Sequence, residues 1–124
     1  MRVAAQLLLP VCAVVLAGCE EPSIAPAREL VRGDSSAGKA AILNVSCGIC
    51  HVIPGVPGAH GAVGPSLDGF ARRSLIAGIA PNRPALLVRW VRDAPSISPS
   101  TGMPAMPLSD EEAVDVAAFL YTLR

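Results

Sequence analysis

Cys47-Gly48-Ile49-Cys50-His51 is the stretch that decides how this chain is read. Two residues between the thiols let a single helical turn present both sulfurs to one edge of a flat macrocycle, with the adjoining imidazole beneath it. In an exported chain this is the pattern of a c-type haem attachment site, in which the thiols add to vinyl groups and the His is placed to bind iron. Half of a zinc site would need two further Cys or His at suitable spacing, and the only other His is His60. A thioredoxin-like redox pair would want a strand before it and a βαβ context, whereas the approach to Cys47 has helical spacing.

Upstream, Arg2 opens a short basic region followed by an apolar stretch interrupted by Gln6 and Pro10. It is too short and broken for a membrane-spanning helix and ends in small residues, as an export signal does. Its ending, Leu16-Ala17-Gly18-Cys19, resembles the lipobox of bacterial lipoproteins, in which the thiol is diacylated and the preceding bond is cut. Residues 1–18 are then a lipoprotein signal peptide, with Cys12 discarded inside it and Cys19 the lipidated mature N-terminus. More than one acyl chain gives stable anchoring. Residues 19–33, with Pro22, Pro26 and Glu20, Glu21 and Glu29, read as anchor and semi-flexible linker. Residues 34–124 form the one domain that the length allows.

The chain is 52% hydrophobic yet has only one Trp, one Tyr and two Phe. The removed segment accounts for part of that excess, and a porphyrin would supply the missing planar bulk of a small core. With Arg2 gone from ten basic residues, nine oppose ten acidic ones in the mature chain, and only Lys39 is a lysine. There is no basic groove for nucleic acid, and electrostatic steering of partners is modest.

Gly38, Ala41, Ile42 and Val45 recur at spacings of three and four, predicting a helix over residues 34–46 with an Asp or Ser cap. Ser109 and Glu112 form a capping box that opens the last helix. Eight Gly and Pro between 52 and 70 predict an Ω-type loop. A short helix is expected over 71–79 and another over 84–93, with Pro84 in its first turn. Candidates for a sixth iron ligand are His60, Met103 and Met106. His60, nine residues from His51 in the Gly/Pro-rich loop, reads as an exposed loop residue, and either Met could also be core filling.

Residues 34–124 resemble a class I cytochrome c, and in particular the cytochrome c domains attached to subunit II of some haem-copper oxidases. The resemblance rests on Gly38-Lys39, the Cys47–His51 motif, Gly64-Pro65-Ser66-Leu67, Arg73, Ile76-Ala77-Gly78 and Pro81-Asn82, and further along on Leu87-Val88-Arg89-Trp90-Val91, Gly102-Met103-Pro104 and 117–123. It implies an all-α fold of four to five helices and an Ω-type loop around one covalent haem c. The first and last helices would cross, with Gly38 giving Phe119 room. It further implies that the Pro65 carbonyl accepts a hydrogen bond from His51, that Leu67 packs on the haem and that Arg73 meets a propionate. By the family's spacing, Met103, five residues before Leu108, is favoured over Met106. Trp90 is either core packing or a haem contact. Asp93-Ala94-Pro95 departs from the family's more usual pattern of an acidic or amide residue directly followed by Pro.

The function expected is that of a membrane-tethered monohaem electron carrier, not an enzyme, facing the periplasm or cell exterior. Its redox partners would be a terminal oxidase, a quinol-oxidising complex or a dehydrogenase. The alternatives are a permanent haem subunit of a dehydrogenase, or a ligand-binding or peroxidatic haem protein with Met103 displaced. The sequence leaves the oligomeric state open.

Overall fold

The computed structural model describes residues 32–124. The expected signal peptide, Cys19 and nearly all of the linker lie outside the described residues. Helix α1, Ser35–Asn44, starts where the Asp34 carboxylate accepts from the backbone N–H groups of Ser36 and Ala37, at 2.7 and 3.2 Å. Such a cap satisfies donors that the first helical turn leaves without partners and contributes about 1 kcal/mol. Its inward face is Gly38, Ala41 and Ile42. Helix α2, Pro84–Ile97, has Pro84 in its first turn and buries Leu87, Trp90, Val91 and Ala94, one stripe at helical spacing. Helix α3, Asp110–Leu120, begins with the complete Ser109/Glu112 capping box. The two hydrogen bonds from the Ser109 backbone and side chain hold the Glu112 carboxyl below its ordinary pKa.

The packing of α1 on α3 is the most extensive between elements, and α2 packs on α3 from elsewhere. Close approach of α1 depends on Gly38, where a Cβ would lie 1.9 Å from the Asp115 carbonyl oxygen. The small residue therefore admits the α3 backbone itself at Asp115 and Val116. Asp115 also accepts from the Asp34 N–H at 2.7 Å. The core joins Ile42, Leu87, Trp90, Val116 and Tyr121 with Phe70 and Ile76 from the connecting segment.

That segment is where the all-α expectation fails. Residues 71–79 do not form a helix. A 3₁₀ turn at Phe70–Arg72 leads into a two-stranded antiparallel hairpin, β1 (Leu75–Ile76) and β2 (Ala80–Pro81), in which Leu75 faces Pro81 and Ile76 faces Ala80. The connecting Ala77 and Gly78 have φ of 50° and 76°, a left-handed pair that reverses the chain and cannot extend a helix. Among the described residues there are thus three α-helices, two 3₁₀ turns and this small sheet, in place of four to five helices.

The second departure lies in α2, which continues past residue 93 by breaking there. Asp93 is non-helical, with φ −149° and ψ 71°. Its carboxylate accepts from the Ser96 N–H at 3.2 Å, and its carbonyl accepts from the Ser96 hydroxyl at 2.8 Å, so Asp93 caps a short second segment that carries Pro95 in its first turn. The Ser96 N–H, diverted to that cap, no longer serves Arg92, and the Arg92 carbonyl instead accepts from Met106 N–H at 2.7 Å. A bridge between Asp93 and Ala105 completes the attachment. The unusual Asp-Ala-Pro sequence thereby ties the methionine-bearing loop to α2.

Candidate functional site

The Cys47 motif lies in a tight turn directly after α1. Ser46 takes a left-handed conformation, Cys47–Ile49 form a 3₁₀ turn, and the Cys47 carbonyl accepts from both Cys50 and His51, at 3.2 and 3.1 Å. Both cysteines are free thiols. Burial, reinforced by repulsion from Cys50, raises the pKa of Cys47 against the lowering effect of its backbone hydrogen bond. The helical approach is not the strand of a thioredoxin-like pair. Among the described residues no three His, Cys, Asp or Glu gather to complete a zinc site.

The loop that follows folds back on the motif. Gly61 donates to the Gly48 carbonyl at 3.0 Å, and Gly64 donates to the Cys50 carbonyl at 2.7 Å. A Cβ on Gly64 would stand 2.4 Å from the His51 ring, so the loop backbone lies flat against the imidazole. Next in the chain, the Pro65 carbonyl accepts a hydrogen bond from His51 Nδ1 at 2.7 Å. Because a carbonyl can only accept, Nδ1 donates, and in the neutral imidazole this is the tautomer that leaves Nε2 its lone pair, the form an iron ligand needs.

Nε2 belongs to a residue on the wall of a largely apolar cavity of about 430 Å³, within the range of small-ligand and cofactor sites. Cys47, Cys50, His51, Pro65, Leu67, Arg73, Trp90 and Met103 all line it. Met106 lines it too, but is shared with a separate surface groove bounded by Arg89, Arg92 and Asp93. His60 is exposed and stands outside the cavity wall, paired through its backbone with Val52. Trp90 is 7% exposed, packed into the core on the cavity side. Arg73 donates through one terminal nitrogen to the carbonyls of Ser66 and Asp68 and lies 5.6 Å from the Phe70 ring centre. Its guanidinium has five donors, so those bonds leave others for a carboxylate.

Asn82, which enters the sequence reading only as part of the resemblance, is a clamp. Its amide donates to the carbonyls of Arg73 (2.9 Å) and Phe70 (3.3 Å), while its oxygen accepts from Tyr121. No local periodicity marks such a residue, because its partners come from two distant parts of the chain. Asp93 could have been found: an Asp two residues before a Pro, with Ser following, is a helix-start signature.

The donor set fits a haem c. Two free thiols stand one turn apart, an imidazole is held through Nδ1 by a backbone carbonyl, thioethers line the same apolar cavity, and a guanidinium stands on its wall. Comparisons with known proteins agree. Residues 35–124 match the family described as cytochrome c. Over 80 residues, 64% of the chain, it is 36% identical to a cytochrome c oxidase subunit 2 of Alkalihalophilus pseudofirmus. The match covers 22% of that relative's length.

Proposed function

The chain belongs to the cytochrome c family, whose cofactor is a covalently bound haem c, and from that premise we propose that it is a membrane-tethered monohaem carrier of single electrons towards a terminal oxidase. When bound, the haem supplies a ferrous/ferric couple. The protein's part is to hold it and set its ligand field. Cys47 and Cys50 attach it by thioether bonds. His51 would supply Nε2 as an iron ligand, its ring held by the Pro65 carbonyl. Met103 would supply a thioether sulfur as a second iron ligand, and His/Met ligation would favour a high potential. Leu67 and Trp90 would help to exclude water from it, and Arg73 would offer donors to a propionate.

The observation that carries this reading is the convergence of all eight residues on one cavity, with Nδ1 of His51 already occupied by a protein acceptor. Met103 is preferred to Met106 because Met106 is held through its backbone to Arg92 and is shared with an outer groove. The oxidase as acceptor is supported by the likeness to an oxidase subunit. Tethering is supported by Leu16-Ala17-Gly18-Cys19 and the linker after it; a shared membrane raises the effective concentration of partners and compensates for weak steering. The test is a potentiometric titration with turnover by a purified haem-copper oxidase. A reversible one-electron couple, a low-spin spectrum and oxidase turnover support the carrier. A high-spin or CO-reactive ferrous form points to ligand chemistry instead. Co-purification in fixed ratio with a dehydrogenase points to a permanent subunit. Labelling of the exported chain with an acyl precursor, lost in Cys19→Ala, checks the anchor.

A further inference from the structure

The loop that carries Met103 is fastened twice to the helix it leaves. Ser98, where α2 ends, donates to the Ala94 carbonyl at 2.9 Å, and Met106 returns to donate to the Arg92 carbonyl at 2.7 Å, beside the bridge between Asp93 and Ala105. Residues 98–106 are thus closed into a loop on one short stretch of α2. Inside it the Thr101 hydroxyl accepts from the Met103 N–H at 3.2 Å, and the Thr101 N–H donates to the Ser98 carbonyl at 3.0 Å. A methionine side chain has three rotatable bonds, so where its sulfur sits depends on how firmly the backbone beneath it is fixed. Closing the loop removes much of that freedom in advance, and a ligand atom already in place costs less to order when it binds.

The second fastening exists because α2 breaks. In an unbroken helix the Arg92 carbonyl would face the Ser96 N–H along the axis. Asp93 takes that N–H for its own carboxylate and the Ser96 hydroxyl for its carbonyl, and the freed Arg92 carbonyl accepts from Met106. Pro95 adds to the break, since it has no N–H to give the helix ladder. We propose that Asp93 is a positioning residue for Met103: the break it caps holds the loop closed and so keeps the thioether at the iron against competing ligands. This rests on the carrier reading above.

The test is titration of the full-length ferric holoprotein with imidazole, which binds iron where Met103 has left it, followed through loss of the long-wavelength sulfur-to-iron absorption. Asp93→Ala should raise the imidazole affinity about fivefold or more. Asp93→Asn, whose amide oxygen can accept the same Ser96 N–H, should stay within about twofold of wild type. Asp34→Ala removes the same kind of cap from α1, at similar cost in stability, and should leave the affinity unaltered. Asp93→Ala with Pro95→Ala lets α2 run unbroken, so it folds even where Asp93→Ala does not. It should raise the affinity at least as far, with a denaturation midpoint no lower than that of Asp93→Ala. Wild-type affinity in both of these variants overturns the positioning role and leaves the carrier intact. So does an equal rise in Asp34→Ala, which would make the effect one of general stability. A wild-type protein with neither the sulfur-to-iron absorption nor a reversible couple overturns the carrier reading and this proposal with it.

Discussion

The Tyr121 hydroxyl donates to Asn82 Oδ1 at 2.8 Å, across 39 positions of sequence. Tyr121 follows α3, is 1% exposed and packs its ring against Phe70, 6.1 Å between centres. Through Asn82 it holds the carbonyls of Phe70 and Arg73, so the end of the last helix fixes the segment carrying the cavity's arginine.

Tyr121→Phe removes that bond and leaves the Asn82 oxygen without its donor. A loss of about 1–2 kcal/mol follows, seen as a melting temperature lower by several degrees. Burial pushes the Tyr121 phenol up to about 12, against about 10 in an unfolded chain. The unfolded state thus loses its proton first, and Tyr121's contribution, complete below pH 10, declines as pH rises towards 12. Denaturation curves across that window should show this slope in the wild type and its loss in Tyr121→Phe.

Gly38→Ala sets two effects against each other. Replacing a mid-helix Gly with Ala normally gains up to about 1 kcal/mol. Here the new Cβ would meet the Asp115 carbonyl oxygen at 1.9 Å, on backbone that cannot rotate away. Overpacking of about 2–3 kcal/mol should win. Chemical denaturation of the variant is the measurement, and an unchanged midpoint would contradict the crossing.

Met103→Ala should abolish the long-wavelength sulfur-to-iron absorption of the ferric form and lower the potential. Axial ligands move haem potentials over about 0.8 V, so a shift on the order of 100 mV is expected. Met106→Ala should keep the band. The opposite pattern would assign the thioether to Met106.

Cys47→Ser with Cys50→Ser should make the haem extractable by acidified organic solvent. Without it, walls of a cavity of about 430 Å³ face a void or water. At about 24 cal/mol per Å³ that is on the order of 10 kcal/mol as an upper bound, comparable to the whole stability of a small domain. The haem-free chain should therefore lose most of its cooperative thermal transition, followed by circular dichroism.

The parts of the fold legible in the sequence were those governed by neighbouring residues. Asp34, Ser109 and Glu112 declare helix starts through their own side chains, Pro84 fits only a first turn, and the 47–51 motif holds its chemistry within five residues. The helix expected over 71–79 gives way to a 3₁₀ turn and the hairpin at 75–81, whose reversal depends on Ala77 adopting a left-handed φ that its residue type does not advertise. Asn82 and the Gly38–Asp115 approach were hidden for a different reason, since each joins segments far apart in the chain. The residues named through the resemblance line one cavity, whereas nothing in it marks the kink at Asp93 that ties the methionine-bearing loop to α2.

Gly33 lies so close to α3 that a Cβ there would meet the Val114 carbonyl oxygen at 2.6 Å, while Leu123, just beyond the same helix, accepts from Ala71 N–H at 2.8 Å. The described chain therefore enters and leaves alongside one helix. A fold closed in this way is portable: it can be spliced to another polypeptide at either end with little strain. The same piece of architecture can be carried as one module of a longer polypeptide.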